Sequence, residues 1–177
     1  MAMFAEGVLK LHWDQSVPVN LARIARRMEI AIRLSDSLQA CALLDISAQN
    51  KVRITIGKQQ TVLRQRYGVA HAIGHVALHH LRPGHQRLID VADNFGVDAN
   101  NRQELEANQF ALALLLPAQA LAQLLQTSPM AQLEDVAQRF EVAPILVKQR
   151  MADLSLRFQR PLALQPYLPD DDTDWVC

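Results

Sequence analysis

The chain has 177 residues, 50% of them apolar, and its 18 basic side chains balance 18 acidic ones. This length can bury a substantial core in one domain, and the balanced charge gives no global electrostatic reason to expect binding to nucleic acid or to a membrane. Because the sequence lacks a membrane-length apolar run and a secretory leader pattern, and because Cys41 and Cys177 are too few for a disulfide framework, we expect a compact cytoplasmic protein.

The first third of the chain predicts two helices followed by three strands. Residues 3–13 and 18–28 show the helical spacing of apolar side chains. Residues 29–34, 40–46 and 51–57 alternate or cluster β-branched and apolar side chains. These segments predict a small antiparallel sheet, and an exposed edge strand of such a sheet can hold an extended peptide by backbone pairing.

A long helix predicted at 60–81 contains histidines with metal-ligand spacing. His71 and His75 are four residues apart and share a helix face, which is how the H-E-x-x-H motif presents two imidazole nitrogens to zinc. His75 and His79 form a second pair, so spacing alone leaves the register open, and ordinary helix-face histidines explain either pair equally well. In the first register Ala72 occupies the position at which the motif has a glutamate that takes a proton from the attacking water.

After a polar, turn-rich stretch at 83–100, predicted to be a connecting loop, a second buried helix is predicted at 104–117. Three-ligand zinc sites commonly add a carboxylate from elsewhere in the chain. Glu104 precedes Asn108 by four residues on one side, which suits a ligand and an amide that orients a metal-binding histidine. Glu106 is the alternative ligand, and its ordinary role is a solvated charge beside the core stripe. Zinc is the predicted cofactor.

The rest of the chain predicts helices and then a tail. Residues 118–156 are expected to be helical, and 132–155 resembles half of a helix-turn-helix in which Lys148 and Arg150 could contact DNA, although neighbouring side chains look like packing residues. Residues 157–177, rich in proline and aspartate, are expected to be a flexible tail. Since a thiolate is a strong zinc ligand, one hypothesis is that the terminal Cys177 folds into the site and inhibits it.

These motifs together resemble the ImmA/IrrE family of zinc metallopeptidases. The family pattern is R-F-T-x-A-H-E-x-G-H, followed by E-x-E-A-N-x-F-A and L-L-x-P. This chain has R-Y-G-V-A-H-A-I-G-H from Arg66, E-L-E-A-N-Q-F-A from Glu104 and L-L-L-P ending at Pro117. The resemblance extends from about Val17 to about Leu156.

The resemblance implies a zincin-like α+β metallopeptidase domain at 1–156 with a helical C-terminal half. It implies zinc at His71, His75 and one of the two glutamates. The family typically cleaves a helix-turn-helix transcriptional repressor after DNA damage or another signal, so a repressor is the expected partner, and control of a mobile element or antiphage defence is the expected setting. Contact with regulatory nucleic acid is the lesser expectation, and no membrane is expected.

Ala72 is the departure that matters, because the general base of the family belongs there. The chain as written is therefore expected to hold zinc without cleaving. Either a glutamate was replaced to give an inactive or substrate-trapping form, or the chain is a natural pseudopeptidase that binds the repressor. The intact ligand pattern favours the first explanation. The oxyanion-stabilising group is not identified; Tyr67 is a candidate whose ordinary role is a core aromatic.

Overall fold

The computed structural model describes residues 1–89, 102–129 and 131–156. Helices pack against a four-stranded sheet, so the α+β class predicted from the sequence is confirmed. Within these ranges the elements are α1 (Ala2–His12), α2 (Leu21–Arg27), β1 (Ile30–Ser35), β2 (Ala42–Ile46), β3 (Val52–Gly57), α3 (Val62–Ala77), β4 (His85–Ile89), α4 (Arg102–Leu115), α5 (Ala118–Thr127), α6 (Leu133–Phe140) and α7 (Pro144–Asp153).

The sheet is mixed, with the strand order β1-β3-β2-β4. β2 and β3 form an antiparallel hairpin that places Leu44 opposite Ile54, both fully buried. β1 pairs with β3 in parallel, so the expectation of a wholly antiparallel sheet is wrong for this strand. The reason is topological: β3 turns back from β2 and inserts between the two earlier strands. Side-chain alternation shows that a strand has a buried face, but it does not show which neighbour the strand pairs with.

The fourth strand lies where the sequence predicted only a connecting loop. β4 pairs with β2 in antiparallel fashion, and Arg87 lies opposite Leu44 in that register. Directly opposed residues of neighbouring strands project to the same face of a sheet. Since Leu44 is buried, Arg87 is directed to the buried face of the sheet rather than to solvent. The remainder of the predicted loop, including Asp90, Asp93, Asn94 and Asp98, lies outside the described residues.

Helix α3 crosses the middle of the domain. Its N-terminus is capped by Thr61, whose hydroxyl accepts from the backbone N–H of Arg64, and its central residues Tyr67 to His75 are all buried. The helix ends at Ala77, four residues before the predicted end at 81. The stop is therefore not Pro83. His79 adopts a left-handed conformation with φ of 55°, which terminates the helix first.

Helices α3 and α4 approach closely at Gly74. A Cβ atom added there would lie 3.1 Å from Cδ1 of Phe110 and 3.2 Å from the carbonyl oxygen of Ala107. Both neighbours belong to α4 and are fully buried, and the backbone of Ala107 cannot turn aside. The glycine of the histidine motif thus sets the distance between the two helices that carry the predicted ligands.

Gly74→Ala is expected to destabilise the protein by up to about 2 kcal/mol, because overpacking costs about 1–3 kcal/mol and the gain in helix propensity recovers about 1. The matched control is Gly7→Ala in α1, where an added Cβ meets nothing within 4 Å. That change is expected to stabilise by about 0.5–1 kcal/mol. Urea unfolding measures both, and equal stabilisation by the two substitutions would contradict the close approach.

The C-terminal helices complete one hydrophobic core that runs from Ala5 to Met151. Arg150 on α7 is only 4% exposed and donates from Nε to the carbonyl oxygen of Leu116 at 3.1 Å. This arginine, predicted as a candidate DNA contact, is therefore used inside the fold. In the described ranges no helix alone has the length and hydropathy to cross a bilayer, and α4 and α5 reach them only together, bent by 42° at their junction.

Candidate metal centre

The side chains of His71, His75 and Glu104 converge on one point between α3 and α4. The Nε2 atoms of His71 and His75 are 2.9 Å apart, and Oε2 of Glu104 lies 2.9 Å from His71 Nε2. Oε1 of Glu104 lies 3.5 Å from His75 Nε2. Both histidines are buried, at 4% and 0% exposure, and the carboxylate is half-buried. Two helix faces thus bring together the three residues that the sequence predicted as ligands.

This arrangement fits a metal ion. Zinc bound tetrahedrally at 2.0–2.1 Å from imidazole nitrogens separates neighbouring ligand atoms by roughly 3.3 Å. The observed separations of 2.9, 2.9 and 3.5 Å bracket that value. In the described part of the chain, these three residues form the group of metal-ligating side chains whose candidate ligand atoms all lie within 4.8 Å of one another. Two imidazoles and a carboxylate are also the donor set of many catalytic zinc sites.

The protonation of the site suits a cation. Hydrogen bonds with His71 and His75 hold the pKa of the Glu104 carboxyl well below its usual range. Burial is the main cause that lowers the pKa of His75 to about 4. At neutral pH His75 is therefore an uncharged imidazole and Glu104 is an ionised carboxylate. These are the forms that bind metal ions.

The metal-free protein is expected to lose stability as the pH falls from 7 to 5. In the unfolded chain His75 takes up a proton near pH 6.5, whereas in the folded protein its pKa is about 4, so acid favours unfolding through this window. Protonation of His75 is expected to account for a loss of about 2 kcal/mol in the free energy of unfolding between these two pH values. The depressed pKa of Glu104 acts in the same direction at lower pH. Urea unfolding of chelator-treated protein at both pH values measures the loss, and an equal pH dependence in His75→Gln would contradict this assignment.

Ala72 lies beside the predicted ligands on α3 but contributes no acid or base. Its side chain is 0% exposed and forms part of the hydrophobic core. A methyl group cannot accept a proton, so this position, where the general base was expected, is chemically inert. Glu106, the nearest other carboxylate of α4, is engaged elsewhere: Oε2 lies 3.2 Å from His80 Nε2, and Oε1 accepts from Arg102 at 2.8 Å.

The alternative ligand Glu106 is therefore placed away from the histidine pair. Residues two apart on a helix point in different directions, and only Glu104 faces His71 and His75. Glu106 contacts His80, whose Nδ1 lies 3.0 Å from Nδ1 of His75. Binding of a metal ion by the three converging residues stays a prediction.

Arg87 is a site residue that the sequence did not reveal. Its Nη1 donates to Oε1 of Glu104 at 2.6 Å and lies 3.4 Å from His75 Nδ1, while Nη2 donates to Gln103 at 3.0 Å. The guanidinium thus orients the carboxylate of Glu104, the predicted third ligand. The pairing register of β4 on β2 is what directs Arg87 toward the site. The polar sequence of this strand does not indicate that direction.

Asn108 occupies a different position from the one expected. Its amide oxygen accepts from the hydroxyl of Tyr67 at 2.7 Å, and the outer nitrogen of His75 is instead approached by His80. Asn108 is one helical turn beyond Glu104 and therefore lies opposite Tyr67, one turn before His71. Burial is the main cause that raises the pKa of Tyr67 above its usual range, so this hydroxyl stays protonated and donates to Asn108. Tyr67 is only 4% exposed, which supports its expected role as a core aromatic side chain.

The C-terminal segment contributes nothing to this centre in the described residues. α6 and α7 are joined by a short turn at Glu141, which has a φ of 51°. Lys148 and Gln149 are exposed on α7, whereas Arg150 is buried. Cys177 and the rest of 157–177 lie outside the described residues, so the hypothesis of an inhibitory thiolate stays a prediction.

The fold and the convergent His-His-Glu group define a domain of the metallopeptidase type. The family described as the IrrE N-terminal-like domain (Peptidase M78) matches residues 25–152, so the chain belongs to this family and the resemblance seen in the sequence is confirmed. No curated protein matches the sequence.

Among solved structures, the chain is similar to a Mycobacterium tuberculosis transcriptional regulator, with a TM-score of 0.63 and 19% sequence identity. The likeness covers 90% of this chain and 48% of that chain, so this chain spans about half the length of the regulator. At this identity the likeness shows the fold alone.

Proposed function

We propose that this chain is a zinc-dependent endopeptidase of a transcription-control system, in a form whose general base is replaced by Ala72. The observation that carries the proposal is the convergence of three ligand atoms from His71, His75 and Glu104 beside that position. The active form, with a glutamate at position 72, would cleave a helix-turn-helix repressor and so relieve repression after DNA damage or another stress. The proposed setting is a mobile element or an antiphage defence system.

Each residue of the site has a distinct task in this proposal. The imidazoles of His71 and His75 and the carboxylate of Glu104 would hold zinc, and Arg87 keeps that carboxylate oriented. Bound zinc supplies Lewis acidity toward a peptide carbonyl and acidifies water. A carboxylate at position 72 would remove a proton from the attacking water and deliver it to the leaving amine. Ala72 performs neither transfer.

Edge strand β4 supports a peptide as the substrate. Among the residues that the structure describes, it pairs with β2 on one side only, and Arg87 connects it directly to the centre. An extended peptide can add to such an edge through backbone hydrogen bonds. The repressor is the partner that the resemblance to the family implies, and transcription control is the setting proposed with it.

The second candidate is a zinc-binding regulator that binds the repressor without cutting it. One observation favours this candidate: Ala72 is completely buried in the core, so an alanine side chain fits this position well. Both candidates require the present chain to bind the repressor and leave it intact.

The experiment that tests this shared requirement uses the chain as it stands and the repressor encoded beside its gene. With zinc present, calorimetry is expected to show a complex, and mass spectrometry is expected to show an intact repressor afterwards. A chelator or His71→Ala would distinguish zinc-dependent from zinc-independent binding. Absence of any complex with zinc bound would contradict the proposed partner.

A further inference from the structure

We infer that His80 is a positioning residue that holds His75 with its lone pair on Nε2, the nitrogen directed toward His71 and Glu104. This inference rests on the proposed metal centre and extends it by a chain of side chains outside the ligand set. A histidine that binds a metal through one nitrogen usually donates a hydrogen bond from the other, which fixes the ring and its tautomer.

The end of α3 brings His80 to His75. The backbone N–H of His80 donates to the carbonyl oxygen of His75 at 2.9 Å, and that of His79 donates to Val76 at 3.1 Å. With His79 in the left-handed conformation, this is the Schellman pattern, which returns the chain onto the last helical turn. The two imidazole rings meet edge to face, with centroids 5.0 Å apart and Nδ1 atoms 3.0 Å apart.

Glu106 determines which nitrogen of His80 carries hydrogen. Its Oε1 accepts from Arg102, and its Oε2 lies 3.2 Å from Nε2 of His80. An ionised carboxylate only accepts, so His80 donates from Nε2, and the Nδ1 of the neutral ring is then an acceptor. His75 donates into that acceptor from Nδ1. The lone pair of His75 is therefore left on Nε2, where a metal would be bound.

Arg87 is the neighbour of His75 that competes with this assignment, because its guanidinium can only donate and lies 3.4 Å from His75 Nδ1. The Nδ1 atom of His80 is closer, at 3.0 Å, and Nη1 of Arg87 already donates to Glu104 at 2.6 Å. His71 has no such support: within the described residues its buried Nδ1 has no hydrogen-bond partner. A hydrogen on His71 Nε2 can instead donate to His75 and Glu104, both at 2.9 Å. The two histidines therefore differ in the metal-free protein, and only His75 has its tautomer fixed by a neighbouring side chain before a metal binds.

Two measurements on the full chain test the inference. Long-range ¹H–¹⁵N spectra of the metal-free protein are expected to show His75 with hydrogen on Nδ1. His80→Ala is expected to shift this ring toward the other tautomer and, in competition with a chromogenic chelator, to weaken zinc affinity by about 10–100-fold. His80→Asn, whose amide oxygen can still accept, is expected to restore most of both. His79→Asn is the matched control, because His79 is exposed and asparagine tolerates the left-handed conformation.

The outcomes separate this inference from the proposed centre. An unchanged tautomer and unchanged zinc affinity in His80→Ala would overturn the role of His80 while His71→Ala still abolishes zinc binding. Zinc affinity that survives His71→Ala would instead overturn the centre itself. If His80→Ala does not fold, Glu106→Ala serves in its place, since it leaves His80 present but frees its Nε2; an unaltered His75 tautomer in that variant also counts against the inference.

Discussion

Ala72→Glu, loaded with zinc, is expected to cleave the repressor at one site, at a rate about 10²–10⁴ above that of the present chain. The reason is that the ligands are already assembled while position 72 offers only a methyl group. The new carboxylate would supply the missing proton acceptor next to His71. Mass spectrometry of the repressor over time, with and without single-stranded DNA as a damage signal, gives the rate and the site.

The matched control is Ala72→Gln, which has the size of the glutamate but no basic oxygen, and it should remain inactive. Ala72 is 0% exposed, and a buried carboxylate is costly unless it is paired with positive charge. Zinc is therefore expected to raise the melting temperature of Ala72→Glu more than that of Ala72→Gln. Equal cleavage by the two variants would rule out general-base catalysis at this position. No cleavage by Ala72→Glu with zinc bound would favour the regulator that only binds.

The second large effect is loss of the metal from ligand variants. Zinc at about a hundred times its Kd is expected to stabilise the chain by about 2.7 kcal/mol, which raises Tm by roughly 5–10 °C. His71→Ala and Glu104→Gln each remove one of three convergent donors and should abolish this rise. Differential scanning calorimetry with and without zinc measures it.

Two exposed residues provide controls of the same chemical types. His85→Ala changes a histidine of β4, and Glu134→Gln changes a carboxylate of α6, and neither residue belongs to the convergent group. Both variants should keep the full zinc-induced rise. If Glu104→Gln also keeps the zinc-induced rise in Tm, the assignment of Glu104 as the third ligand is wrong. Glu106→Gln should then be the variant that loses the rise.

The histidine pair and the carboxylate helix could be predicted because their signals are local. His71 and His75 have the spacing of one helix face, and the apolar stripe around Phe110 marks a buried helix. The sequence favoured Glu104 as the third ligand and left Glu106 open as the alternative. The choice between them depends on which side of α4 faces α3, and that is set by the close contact of Gly74 with the second helix.

The supporting residues escaped prediction because their positions depend on tertiary geometry. Arg87 lies in a five-residue strand that is mostly exposed, and only its register opposite Leu44 directs it inward. His80 reaches His75 because His79 takes a left-handed conformation that glycine more commonly adopts at a helix end. The parallel pairing of β1 with β3 was missed for a similar reason, since it depends on strand order rather than on strand pattern.

We propose that His71, His75 and Glu104 together hold one metal ion. The most direct measurement is anomalous diffraction at the zinc absorption edge from crystals of the zinc-loaded chain. A zinc ion held by these residues is expected to give a single strong peak between the Nε2 atoms of the two histidines and the carboxylate of Glu104. A peak at His80 and Glu106, or no peak between α3 and α4 in crystals that contain zinc, would contradict this proposal.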